Sequence, residues 1–362
     1  MGIASACILA LSLLPALATA ACGRRPVIFN FGDSNSDTGG LAAGLAAGLG
    51  FVLPHLEGRA FFLLPSGRLC DGRLVIDFLC EALNTSYLSP YMEPLGSDFR
   101  NGANFAIVGS TTRPPELPFA LAVQVRQFLR FKMRSLYLLA QGATKLIDEQ
   151  GFQNALYAID IGQNDLAAAF SANLSFAHVV QRIPSVVDEI KKAIETLYEN
   201  GGRHFWVHST GPLGCLPQKL ALPRKVNSNL DRHGCLITYN DAAKEFNARL
   251  SVLCDELNAK LLNATIVYTD IYSIKYDLIA NYTKYGFESA LMACCGHGGP
   301  PYNFNQNVEC GGYGSQVCAI GSKYVNWDGI HYTEAANALV ASKILTTEFS
   351  KPKLRFDYFC AA

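Results

Sequence analysis

The chain has 362 residues, half of them hydrophobic and 17% charged, with 30 basic residues against 30 acidic ones. Such a composition supports a sizeable core and excludes an intrinsically disordered chain. The charge balance removes any electrostatic basis for nucleic-acid binding or polybasic membrane attachment, so no nucleic-acid partner is expected.

Met1 to Ala20 contains an apolar run from Ile8 to Ala18 and ends in Ala18-Thr19-Ala20, the small-residue pattern of a cleaved secretory signal peptide. The run is too short and too weakly flanked by charge to act as an anchor. No later stretch is long and apolar enough for an integral membrane segment. Residues 1–20 are therefore expected to be a leader and residues 21–362 a single domain. The expected location is the extracellular space or cell wall, with a Golgi or other endomembrane residence as the alternative. Of the twelve cysteines, Cys7 lies in the leader, and most of the odd number left should form disulfides in an oxidising compartment. Cys294, Cys295, Cys310 and Cys318 should staple a loop, and at least one thiol stays unpaired or joins another chain. Reading Cys294-Cys295-Gly296-His297 as metal ligands fits no common zinc spacing, and no metal is expected. Sequons at Asn84, Asn173, Asn263 and Asn281 are expected glycosylation sites.

In chain order, Val27 to Phe31 reads as a short buried strand ending in the turn Gly32-Asp33-Ser34-Asn35-Ser36-Asp37-Thr38. The small residues from Gly39 to Gly50 do not follow that strand with dinucleotide-loop spacing, so no cofactor is expected there. Arg73 to Leu83 suggests a short helix. Asn101 to Ser110 reads as a second strand with Gly109 at its far end, and Leu121 to Leu139 as a long helix. Ala155 to Ile161 is a third strand, closing on Gly162-Gln163-Asn164-Asp165. Val179 to Tyr198 is helical, His204 to His208 a fourth strand, Ile237 to Leu261 a helix and Thr265 to Thr269 a fifth strand. Tyr332 to Phe349 is a closing helix that Thr333 should cap. Strands alternating with helices imply an α/β fold with a parallel sheet covered on both faces.

In a parallel sheet, Ser34, Gly109 and Asn164 all fall at the carboxyl edge, where open α/β sheets bind ligands. A serine hydroxyl needs a base beside it, and Asp328-Gly329-Ile330-His331 supplies an imidazole with a carboxylate to orient it. The Ser34 and Gly109 N–H groups and the Asn164 amide could stabilise the oxyanion of an acyl transfer. Gly102 is a second candidate for the glycine. Asp33 and Asp37 are expected to bind turn backbone, Asp165 to cap the following helix, and His204 and His208 to be core or rim residues.

Taken together, Gly32-Asp33-Ser34, Gly109, Gly162-x-Asn164-Asp165 and Asp328-x-x-His331 resemble the four ordered blocks of the GDSL (SGNH) hydrolase family. The family's usual leucine after the serine is Asn35 here. The resemblance implies a three-layer flavodoxin-like fold with a central five-stranded parallel sheet. It also implies Ser34 as nucleophile, His331 as general base and acid and Asp328 as its orienter, with Ser34, Gly109 and Asn164 as the oxyanion hole. The start Phe31-Gly32-Asp33-Ser34-Asn35-Ser36-Asp37-Thr38-Gly39-Gly40 is similar to the plant secreted branch that includes arabinoxylan deacetylases. On this basis the expected activity is removal of acetyl groups from cell-wall polysaccharide, xylan or its arabinosyl side chains. The expected enzyme works as a monomer on an acylated carbohydrate or other ester, without a cofactor. The alternatives are a lipase or esterase of small lipid or specialised-metabolite esters, a catalytically inactive carbohydrate-binding homologue, and a dinucleotide-dependent enzyme.

Overall fold

A computed structural model describes residues 23, 25–45, 55–114, 119–222 and 229–360. The expected leader lies outside them. Five strands form a parallel sheet: β1 (Ile28–Gly32), β2 (Gly102–Asn104), β3 (Leu156–Asp160), β4 (His204–His208) and β5 (Thr265–Thr269). Two small strand pairs follow, β6 (Ser289–Ala293) with β9 (Tyr324–Asn326) and β7 (Cys295–Gly296) with β8 (Gln316–Val317). The expectation of a five-stranded sheet needs one correction. A sixth strand, β10 (Ser350–Lys351), pairs antiparallel with β5, so the order across the sheet is β10-β5-β4-β3-β1-β2. At two residues it is too short to carry a strand pattern.

Helices intervene between the strands. α1 (Gly40–Leu45) and α2 (Val75–Ala82) follow β1, and α3 (Leu121–Ala140) and α4 (Glu149–Asn154) follow β2. α5 (Gln163–Ser171) and α6 (Phe176–Glu199) lead from β3 to β4, and α7 (Pro217–Leu220) and α8 (Ile237–Lys260) from β4 to β5. α9 (Ile271–Ala280) follows β5, and α10 (Glu334–Leu345) follows β9. α6 packs between α3 and α8, and α10 between α2 and α9. The right-handed rule for parallel crossovers assigns these two series to opposite faces of the sheet. α6 shows why these segments are helical. Val179, Ile183, Val187, Ile190, Ile194 and Leu197 recur every three or four residues and are all buried, and the Ser175 side chain accepts from His178 N–H at the start.

Continuous apolar strands suit a sheet covered on both sides. Phe29 and Phe31 in β1 are fully buried against Phe105, Phe128, Phe152 and Tyr157, with the Phe29 and Phe152 rings stacked 5.4 Å apart. The sheet reverses its winding between β1 and β3, and at such switch points the carboxyl ends of the strands leave a crevice. Gly32, Asp160, His208 and Thr269 lie side by side along this edge.

Candidate active site

The Ser34 turn is built from buried polar groups. Gln124 of α3, itself fully buried, grips the last residue of β1 from both sides: Gly32 N–H donates to its Oε1 at 2.9 Å, and its Nε2 donates to Gly32 O at 2.8 Å. A side chain at position 32 is excluded, because a Cβ there would lie 2.5 Å from Asp160 O. Beyond Ser34, the Asp37 carboxylate accepts from the backbone N–H groups of Gly39, Gly40, Leu41 and Val108. Burial raises the Asp37 pKa, and those four donors offset part of the rise. Asp33 Oδ1 accepts from both the backbone and the side chain of Asn35. Both aspartates thus bind turn backbone, as expected.

The expected second strand is much shorter than its pattern. After β2, Asn104 takes over the hydrogen bonding, accepting from Asn30 Nδ2 and Ala106 N–H and donating to Ser36 O and Thr38 Oγ1. The chain then turns through Gly109, at φ +76°. Gly109 shares a pocket of about 270 Å³ with Asn164, Gln163, Gln218, Lys219 and Ile330. Gly102 sits at the opposite end of the sheet, in register with Ile28 at the start of β1. Asn164 Nδ2 donates to Ser110 O at 2.9 Å and lies 3.4 Å from Asp33 Oδ2, so it joins the turn after β1 to the turn after β2. Gly162, not Asp165, is the N-cap of α5, but Asp165 lies in that helix's first turn, where its carboxylate engages its own backbone N–H. Its carboxylate accepts from Thr112 N–H and Oγ1, and burial pushes its pKa up to about 6 despite those bonds.

Disulfides frame the segment that delivers the imidazole. Cys294–Cys318 and Cys295–Cys310 staple the excursion after β6, as expected for these four cysteines. Cys294 and Cys295 N–H donate to Asn326 O and Trp327 O, which fixes the residues just before Asp328. Cys215–Cys235 is a further disulfide, whereas Cys70, Cys80 and Cys254 are free and buried. The loop closes on itself through Trp327 N–H to His331 O. Inside it, Asp328 Oδ1 accepts from Ile330 and His331 N–H at 2.9 and 2.8 Å, and Oδ2 meets His331 Nδ1 at 2.6 Å. Burial would raise the Asp328 pKa, but the His331 charge and these hydrogen bonds outweigh it and hold it below the ordinary value. Thr333 caps α10 by accepting from Ala336 N–H.

The turn after β1 and the loop after β9 meet at Lys275 of α9. Its ammonium lies 3.5 Å from Asn35 Oδ1, next to Ser34, and 4.5 Å from the centre of the Tyr332 ring, next to His331. Among the described residues His331 Nε2 is buried without a hydrogen-bond partner, so the Ser34 hydroxyl is not bonded to it. Catalytic hydrogen bonds of this kind commonly tighten only when substrate binds. Beneath Ser34, burial and then the Asp160 charge push the Asp33 carboxyl up, opposed by Asn35 and His331. His208 Nδ1 lies 3.8 Å from Asp160 Oδ2 at the same edge. A larger groove of about 450 Å³ between α6 and α8 is lined by Pro184, Val187, Arg249 and Val252, and includes none of Ser34, Gly109, Asn164, Asp328 and His331.

Sequence reasoning missed Gln124, Lys275, Lys219 and Glu57. The signal for the first two was a polar residue on an otherwise buried helix face: Lys275 stands among Ile271, Tyr272, Ile274 and Leu278. Glu57 is 2% exposed, its Oε2 has no hydrogen-bond partner among the described residues, and burial followed by the charges of Asp328 and Asp37 pushes it up to about 8.

A family profile described as GDSL-like Lipase/Acylhydrolase matches residues 28–344. GDSL esterase/lipase At1g09390 of Arabidopsis thaliana is 59% identical over 343 residues, covering 94% of this chain and 91% of that one. Alpha-L-fucosidase 3 of the same plant is 42% identical, covering 92% and 95%. GDSL esterase/lipase ACHE of Zea mays is 41% identical, covering 92% and 89%. The profile match, the relatives and the α/β architecture agree, and this chain belongs to the GDSL-like lipase/acylhydrolase family.

Proposed function

We propose that this carboxylic ester hydrolase works through an acyl-enzyme on Ser34. The observation that carries the proposal is the meeting of Asn35 and Tyr332 on one lysine, which brings the neighbours of a hydroxyl and an imidazole together. His331 Nε2, opposite the nitrogen held by Asp328, takes the Ser34 proton as Oγ attacks the ester carbonyl. The tetrahedral oxygen is met by the N–H groups of Ser34 and Gly109 and by the Asn164 amide. Ser110 O occupies one Asn164 hydrogen, and the other is only loosely engaged with Asp33 at 3.4 Å. His331 then protonates the departing alcohol and activates water to release the acid.

For the substrate, we favour a short acyl group on a carbohydrate, namely acetyl on cell-wall xylan or its arabinosyl side chains. A pocket of about 270 Å³, walled by Ala167, Leu213, Leu216 and Ile330 as well as by Thr111, Gln163, Gln218 and Lys219, suits a small acyl group better than a long fatty chain. The name of Alpha-L-fucosidase 3 supports a saccharide. The test is release of acetate from acetylated arabinoxylan compared with release of fatty acid from a long-chain triglyceride. Faster turnover of the triglyceride would refute this substrate.

Secretion and glycosylation belong to the same proposal. They are supported by the disulfides and by the exposure of Asn84, Asn173, Asn263 and Asn281. A secreted product that loses mass on treatment with an N-glycan-removing enzyme is the expected result. Protein confined to the cytosol and of unmodified mass would refute it.

A further inference from the structure

Two lysines are buried beside this site, and only one has its charge answered. Lys275 has Asn35, the Tyr332 ring and the charges of Asp33 and Asp160 around it. Lys219 is 6% exposed and walls the pocket that holds Gly109, Asn164 and Ile330. Among the described residues, its ammonium has no hydrogen-bond acceptor, carboxylate or aromatic ring as partner. Its stem is buried while the ammonium keeps access to the pocket, and the partial desolvation of that charge is offset when an anion enters.

The position is held firmly. Gln218 N–H donates to Gly329 O at 3.0 Å, tying α7 to the loop between Asp328 and His331, and Cys215–Cys235 anchors the chain just before α7. A flexible surface lysine extended into solvent does not have this setting.

We propose that Lys219 recognises a carboxylate on the substrate, so that the ester cleaved belongs to an acidic molecule. This rests on the esterase reading and narrows it. One cation in a pocket whose other polar side chains, Thr111, Gln163, Asn164 and Gln218, are neutral matches a singly charged carboxylate better than a phosphate dianion. The carboxylate could stand on the alcohol side, as a uronic acid in the sugar chain, or on the acyl side, as a dicarboxylic half-ester.

The experiment compares the full chain with Lys219→Met and Lys219→Gln on two substrate pairs. One pair is an acetylated glucuronoxylan oligosaccharide and its carboxyl-reduced counterpart. The other is nitrophenyl hemisuccinate and nitrophenyl acetate. The readout is the ratio of kcat/KM for the acidic member to that for the neutral member. The expected result is a wild-type preference for the acidic member of one pair, reduced at least tenfold in both variants and mainly through KM. The responding pair tells which side carries the carboxylate. No preference in either pair overturns the proposal, as does an equal fall on both members, which marks a structural role. Binding of free glucuronate, followed by thermal shift, keeps the two readings apart. Protection of wild type but not of the variants supports the site even if no ester is hydrolysed, whereas equal protection of all three overturns it.

Discussion

Asp328→Asn separates the imidazole's orientation from the integrity of the fold. The amide oxygen can still accept from Ile330 and His331 N–H, now 2.9 and 2.8 Å from Oδ1. The amide nitrogen, however, replaces the acceptor that stands 2.6 Å from His331 Nδ1. Two donors cannot share that contact, so the ring must give up its Nδ1 proton and carry one on Nε2. That is the nitrogen required to accept the serine proton. In serine triads this change of tautomer costs about 10⁴ in kcat, equivalent to about 5 kcal/mol of transition-state stabilisation. The stability loss should be smaller, about 1.5–3 kcal/mol for one charge-assisted hydrogen bond, or several degrees in Tm. The assay is steady-state hydrolysis of a short-chain nitrophenyl ester, with near-ultraviolet circular dichroism to verify the fold. A folded variant with kcat within tenfold of wild type would refute the reasoning.

Two further substitutions probe the buried carboxyl groups. Asp37→Ala removes the acceptor of four backbone N–H groups at once, and the expected cost is about 3 kcal/mol or more. Urea unfolding should show it, with Asp37→Asn less damaging, and an unshifted midpoint would contradict this role. Glu57 is raised from 4.5 to about 8 in the fold, so its contribution to stability is full below about pH 4.5 and is lost as pH rises through 8. Glu57→Gln removes that loss, so its advantage over wild type should grow by about 2–4 kcal/mol between pH 5 and pH 9. Parallel pH dependences for the two proteins would show that Glu57 does not titrate in this way.

Much of this site is legible in the sequence because it lies in local motifs. The Asp328-x-x-His331 spacing closes within one loop, and the strands at His204–His208 and Thr265–Thr269 coincide with their patterns. The groups that were missed act at long range. Gln124 reaches Gly32 across 92 positions, and nothing near either residue indicates the pairing. α9 escaped notice because Lys275 interrupts its buried face with a charge whose partners come from Asn35 and Tyr332. The second strand reads longer in sequence than it is because the run from Ala106 to Val108 is β-prone. Its backbone is instead satisfied partly by side chains, Ala106 N–H by Asn104 and Val108 N–H by Asp37. Asn35 departs from the family pattern in sequence, but its link to Lys275 is visible only in three dimensions.

The most direct test is to inactivate the protein with a fluorophosphonate ester and map the adduct by peptide mass spectrometry. The account predicts one phosphonyl group per chain, carried on the peptide containing Ser34, with esterase activity lost in proportion to labelling. An adduct on another residue, or full ester hydrolysis by a Ser34→Ala variant, would contradict it.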